Sequence, residues 1–140
     1  MKKILVILTG GTIGSMVSEN VVDLCEGSVY QLIDAYEKTY GKEAFEVINP
    51  FSTLSENMTP ETWEKLCRVL WNINFEQYQG VILAHGSDTL SYTAALLGML
   101  FGRKALMVLI ASNYPIGERG SNGRANLRGA VAFLKKPPCS

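Results

Sequence analysis

Residues 80–94 read GVILAHGSDTLSYTA. A continuous apolar run, Val81 to Ala84, stops at a cluster of glycine, hydroxyl and carboxylate groups, and a second, longer apolar segment starts at Leu90. A short β-branched run bounded by turn residues is the pattern of a strand covered on both faces, and a twelve-residue apolar segment has the length of a helix. The question is whether His85, Ser87, Asp88 and Thr89 merely cap that helix or form part of a site.

The same strand-then-polar-loop unit recurs on either side. Ile4 to Leu8 leads into Thr9-Gly10-Gly11-Thr12-Ile13-Gly14-Ser15. A weaker strand, Phe45 to Ile48, leads into NPFSTLSENMT, and Leu106 to Ala111 leads into SNYPIGERGSNG. Helical spacing separates these strands. Val29, Leu32, Ile33, Tyr36 and Tyr40 form one stripe over residues 28–40. Thr59-Pro60-Glu61 supplies an N-cap, a first-turn proline and a first-turn acid. The helix that follows carries Trp63, Leu66, Cys67, Leu70 and Trp71 on one face. Ser121 is placed to cap a last helix striped by Leu127, Ala130, Val131 and Leu134. The β-α-β-α-β-α-β-α order predicts an α/β fold: an open, mainly parallel sheet with helices on both faces, a flavodoxin-like three-layer arrangement.

Such sheets take ligands outside the carboxyl ends of their strands. The four loops leaving strands are all rich in Gly, Ser, Thr, Asn and Asp, whereas the opposite loops, YGKEA, NFEQYQG and FGRK, are ordinary turns. One edge is therefore expected to gather Thr9, Thr12, Ser15, Ser55, Glu56, Ser87, Asp88 and Thr89 into a hydroxyl-rich pocket.

Composition narrows the classes. The 140 residues, 47% hydrophobic and 19% charged, suit one globular domain over 1–140. Thirteen basic residues balance thirteen acidic ones, which leaves no electrostatic footprint for nucleic acid or an anionic membrane. Cys25, Cys67 and Cys139 form no CxxC pair, and a single histidine cannot complete a usual zinc set, so free thiols in a reducing compartment are expected and no metal. The N-terminal MKKILVIL is too soon interrupted by TGGT for a signal peptide.

Each motif has two readings. TGGTIGS is either a tight strand exit with Thr12 capping or a turn that presents Thr12 as a catalytic hydroxyl; it lacks the lysine of a phosphate-binding loop and does not fit G-x-G-x-x-G. HGSDT is either a cap built on Asp88 or Ser87 or half of a site. A Ser-His-Asp triad is disfavoured, because there is no G-x-S-x-G elbow and His85, Ser87 and Asp88 lie too close along the chain to face one another in series.

T-G-G-T-I at 9–13, Ser-x-x-Met at 55–58, H-G-[ST]-D-T at 85–89 and SNGRANL at 121–127 resemble, in order and spacing, the bacterial-type L-asparaginases, and the start is similar to their cytoplasmic type I branch. The resemblance implies hydrolysis of L-asparagine, with weaker action on L-glutamine, to aspartate and ammonia, with no cofactor. It implies that Thr12 is the nucleophile, that Ser87 and Asp88 belong to a second hydroxyl–Asp–Lys group, and that Ser55, Glu56, Ser87 and Asp88 hold the substrate. It further implies a cytoplasmic homo-oligomer.

The chain departs from that pattern in four ways. Ser87 stands where threonine is usual. The loop SMVSENVVDLCEG carries no tyrosine, and Tyr30, the nearest, sits at a helical spacing that suggests another job. Lys135 and Lys136 come too early to complete the second group. Residues 1–140 are expected to hold no counterpart of the family's C-terminal domain. An incomplete asparaginase N-terminal domain, inactive alone, with an exposed edge strand, is the expectation. The contrasting reading is a non-catalytic domain that still grips aspartate or asparagine; a nucleotide-binding flavodoxin-like domain is weakened by the missing phosphate loop.

Overall fold

The computed structural model describes residues 2–11, 16–18, 21–23, 26–115 and 118–137, with backbone alone at 16–18, 21–23 and 26–30. Strand β1 (Lys3–Leu8) precedes a hairpin of β2 (Met16–Ser18) and β3 (Val21–Asp23). Then come α1 (Glu26–Tyr40), β4 (Phe45–Ile48), α2 (Pro60–Trp71), β5 (Tyr78–Ala84), α3 (Leu90–Phe101), β6 (Met107–Ile110) and α4 (Gly123–Lys135). Short 3-10 turns at Ser55–Asn57 and Phe75–Gln77 precede α2 and β5.

The four main strands form one sheet in the order β4-β1-β5-β6, all parallel. In order of appearance this is 2-1-3-4, the flavodoxin-like winding. The chain crosses one way from β1 to β4 and the other way from β4 to β5, so the switch point lies at the carboxyl end of β1. Alternation along the strands sorts the core. Ile4, Val6, Leu8, Ile82 and Ala84 pack with Leu32, Ile33 and Tyr36 of α1 and with Leu127, Ala130, Val131 and Leu134 of α4. Leu5, Ile7, Val81 and Leu83 pack with Leu66 and Leu70 of α2 and Leu97 and Phe101 of α3. That is the expected three-layer α/β fold, and the continuous apolar runs are explained by coverage of both faces.

Local details differ from the sequence reading. Strand β5 starts three residues early, at Tyr78, because Lys3 of β1 pairs with it there. The hairpin falls inside SMVSENVVDLCEG, a stretch that reads as a loop from its sequence. Helix α3 reads as mostly apolar, yet it buries only Thr93, Leu97 and Phe101; Met99 is 79% exposed and Tyr92 68%. Its cap position is Thr89, not Ser87 or Asp88, and no side chain bonds across the cap. The cap position of α4 is Asn122, one residue beyond Ser121. Thr59 does cap α2, its hydroxyl accepting from Thr62 N–H. Leu32, Ile33 and Tyr36 are buried as the α1 stripe requires, while Tyr40 is 40% exposed; the Val29 and Tyr30 side chains lie outside the described residues, as do Cys25 and Cys139. Cys67 is a free thiol. Among the described residues no helix is long and apolar enough to cross a membrane.

Candidate active site

Three loops meet at the carboxyl edge because glycines let their backbones touch. Gly10 and Gly11 have φ of +99° and +72°, values glycine adopts without strain. This turn carries the chain beside Thr53 of the loop after β4: Thr53 N–H donates to Thr9 O and Gly11 N–H donates to Thr53 O, each at 3.0 Å. A Cβ on Gly11 would lie 2.5 Å from Gly86 Cα, and one on Gly86 would lie 2.3 Å from Ser55 Oγ. The residue before Thr12 thus abuts the residue before Ser87, and that residue abuts Ser55.

Side chains lock the same junction. The Ser55 hydroxyl donates to Asp88 Oδ2 at 2.7 Å and accepts from Asp88 N–H at 3.2 Å. Thr89 Oγ1 donates to Ser55 O at 2.9 Å, which explains why it does not cap α3. Ser55 is 3% exposed, whereas Ser87 and Asp88 are exposed at the mouth. A carboxylate accepting from a hydroxyl at 2.7 Å is a charge-assisted bond, so Ser55 and Asp88 act as one unit. Thr9 turns inward, and its hydroxyl donates to Ala84 O. Glu56 is exposed on the 3-10 turn beside Ser55. Thr12 and Ser15 lie outside the described residues.

The remaining loop is fastened separately. Ser112 Oγ donates toward Tyr114 O and Asn122 Oδ1, Asn113 N–H donates to Asn122 Oδ1, and Asn126 donates to Ala111 O. Asn122 therefore works as an acceptor that holds the loop after β6.

His85 is not part of the mouth. It is 1% exposed, with Nδ1 2.8 Å from Gly86 O and Nε2 3.0 Å from Thr93 Oγ1. Burial pushes its pKa below the ordinary histidine value, and the Gly86 contact opposes this only in part. Trp63 Nε1–H donates to Thr93 Oγ1 at 2.7 Å. Sequence reasoning missed Thr93 and the polar end of Trp63. The available signal was a hydroxyl, Thr93, in helical register with Leu97 and Phe101 and eight residues after the sole histidine. Among the described residues no three His, Cys, Asp or Glu side chains cluster to hold a metal.

A doubly wound sheet with a serine–aspartate pair and a glycine turn at its switch point defines a class of α/β domain whose site lies at the strand ends. The chain belongs to the asparaginase family: the family's model described as "Asparaginase, N-terminal" matches residues 3–139. It is 34% identical over 138 residues to an L-asparaginase of Thermococcus kodakarensis, covering 96% of this chain and 41% of that protein. It is 31% identical over 133 residues to a glutamyl-tRNA(Gln) amidotransferase component of Thermoplasma volcanium, covering 94% of this chain and 32% of that one. The crystal structure of L-asparaginase I from Vibrio cholerae superposes with a TM-score of 0.79 at 28% identity over 95% of this chain and 40% of the other. The chain thus spans about two fifths or less of these relatives.

Proposed function

We propose that this chain is the N-terminal part of an amidohydrolase that converts L-asparagine and water to L-aspartate and ammonia in the cytoplasm. One observation carries the reading: Gly11, which immediately precedes Thr12, packs against Gly86, which immediately precedes Ser87. The glycines that precede the two hydroxyls, 75 positions apart in the chain, thereby touch, with the Ser55–Asp88 pair beside them.

In this mechanism Thr12 Oγ attacks the side-chain amide carbon of asparagine, giving up its proton as the C–O bond forms. The tetrahedral intermediate collapses as the C–N bond breaks and nitrogen leaves, protonated, as ammonia. Water then hydrolyses the acyl ester to release aspartate and restore Thr12. Asp88 and Glu56 attract the substrate's ammonium group, and Ser55 and Ser87 bond its polar end groups. Ser55 itself is a poor nucleophile here, because its proton is committed to Asp88. L-Glutamine is a weaker substrate.

The relatives include both L-asparaginases and glutamyl-tRNA(Gln) amidotransferase components, so the family alone does not select the substrate. The limited span against those relatives favours a second reading for the 140-residue chain on its own: it binds aspartate or asparagine without turnover. The test is ammonia release from L-asparagine by this chain and by a form extended to the relatives' length, each with and without Thr12→Ala. Activity in the extended form that Thr12→Ala abolishes is expected. An inactive extended form that still binds aspartate supports the binding reading; one that does neither overturns both.

A further inference from the structure

Four polar groups join α2, α3 and the loop after β5 in a single file, and their proton positions follow from chemistry. The Trp63 indole can only donate, so Thr93 Oγ1 accepts at that contact. The single Thr93 proton is then directed to His85 Nε2 at 3.0 Å, which makes Nε2 the unprotonated nitrogen. The remaining ring proton sits on Nδ1, 2.8 Å from Gly86 O, and donates there. The reverse tautomer would set the Nδ1 lone pair against the carbonyl lone pairs and leave Thr93 without an acceptor. The file runs from donor to acceptor in one direction, Trp63 to Thr93 to His85 to Gly86 O, and aligned bonds of this kind reinforce one another. Thr93 is fully buried and His85 nearly so, so water does not compete.

The end point matters. The Gly86 carbonyl belongs to the peptide that joins Gly86 to Ser87. Because a peptide is planar, holding its oxygen sets the plane in which Ser87 leaves. Ser87 and Asp88 follow directly, and Asp88 is pinned on its far side by Ser55. The site loop is therefore held from below by the histidine and from the side by the serine.

We propose that Thr93 is a positioning residue for the candidate site: through His85 it fixes the Gly86–Ser87 peptide and so the presentation of Ser87 and Asp88. As a statement about ligand binding this rests on the amino-acid site proposed above; as a statement about geometry it does not. The test compares Thr93→Ser, which keeps the hydroxyl, with Thr93→Val, which keeps the shape, and with Trp63→Phe, which removes the first donor. Three measurements are made on the 140-residue chain at neutral pH: the His85 tautomer by nitrogen-15 NMR, amide hydrogen exchange at residues 87–89 against the interior of β5, and L-aspartate affinity.

Wild type and Thr93→Ser should show a single Nδ1–H tautomer. Thr93→Val leaves Nε2 without its donor while Gly86 O still holds the Nδ1 proton, so it should show a shifted Nε2 nitrogen-15 resonance and exchange at 87–89 faster by about tenfold or more, with β5 interior amides little changed. Aspartate should bind about tenfold more weakly to Thr93→Val and normally to Thr93→Ser. An unshifted Nε2 resonance in Thr93→Val, exchange raised equally throughout β5, or failure of serine to rescue would overturn the proposal. If Thr93→Val does not fold, Thr93→Ser and Trp63→Phe decide the matter by the same tautomer and exchange readouts. If wild type binds no aspartate, the amino-acid site is refuted, while tautomer and exchange still judge the positioning role.

Discussion

Gly86→Ala tests whether backbone contact truly builds the site. The added Cβ would fall 2.3 Å from Ser55 Oγ and 2.4 Å from Ser55 Cβ, well inside any tolerated contact. Ser55 is buried and bonded three ways to residues 88 and 89, so it cannot swing aside freely. Either the loops separate and the charge-assisted Ser55–Asp88 bond is lost, at about 1.5–3 kcal/mol, or the overlap is absorbed as strain of about 1–3 kcal/mol. Asp88 is exposed, which moves the first figure toward its lower end. A net loss of about 1–3 kcal/mol is expected, lowering the urea midpoint by roughly 0.5–1.5 M. Gly98→Ala and Gly129→Ala serve as controls. Both are exposed positions inside helices, where a Cβ meets nothing within 4 Å. Alanine there should stabilise by about 0.5–1 kcal/mol each. A Gly86→Ala chain whose midpoint matches wild type, or rises with the controls, would refute the claim that the three loops interlock.

Two further outcomes are expected. The buried His85 has a folded pKa below its ordinary value, so its contribution is fully present above pH 6.5 and is lost as pH falls toward the depressed folded value. The stability gap between wild type and His85→Gln, measured by urea denaturation, should narrow by up to about 1.4 kcal/mol per pH unit below about pH 6.5; a constant gap from about pH 7.5 to 5 would disprove this. Thr59→Ala should cost about 0.5–1 kcal/mol, because the cap bond to Thr62 N–H is long at 3.4 Å, and calorimetry reporting a loss above about 2 kcal/mol would mean that Thr59 does more than cap.

The main sheet was legible because its strands are buried on both faces. Ile4–Leu8 and Val81–Ala84 are continuous apolar runs, and a glycine-containing turn follows each. The hairpin at residues 16–23 was not legible: its strands are three residues each, and Glu19-Asn20 between them lacks the glycine that marks a tight hairpin turn. For the site, chain order placed Ser55, Ser87 and Asp88 at one edge, but not which would touch. The Ser55–Asp88 bond spans 33 positions and depends on side-chain direction, which periodicity does not encode. The same limit hid Thr93: Ser91, Tyr92 and Thr93 give LSYTAALLGMLF three hydroxyls in a row, and only the buried imidazole beside Thr93 sets it apart.

Strand β1 lies in the middle of the sheet, yet every partner it pairs with comes later in the chain. The Thr9 hydroxyl closes onto Ala84 O across 75 positions. During synthesis at about 5–20 residues per second, ILVIL therefore waits roughly 4–15 s beyond its own appearance before β5 can join it. Even after β4 arrives on one side, its other edge stays open for that interval: an uncharged, β-prone segment, the kind that pairs with strangers. Lys2 and Lys3 immediately before it then act as guards for a nascent chain as much as parts of a finished one.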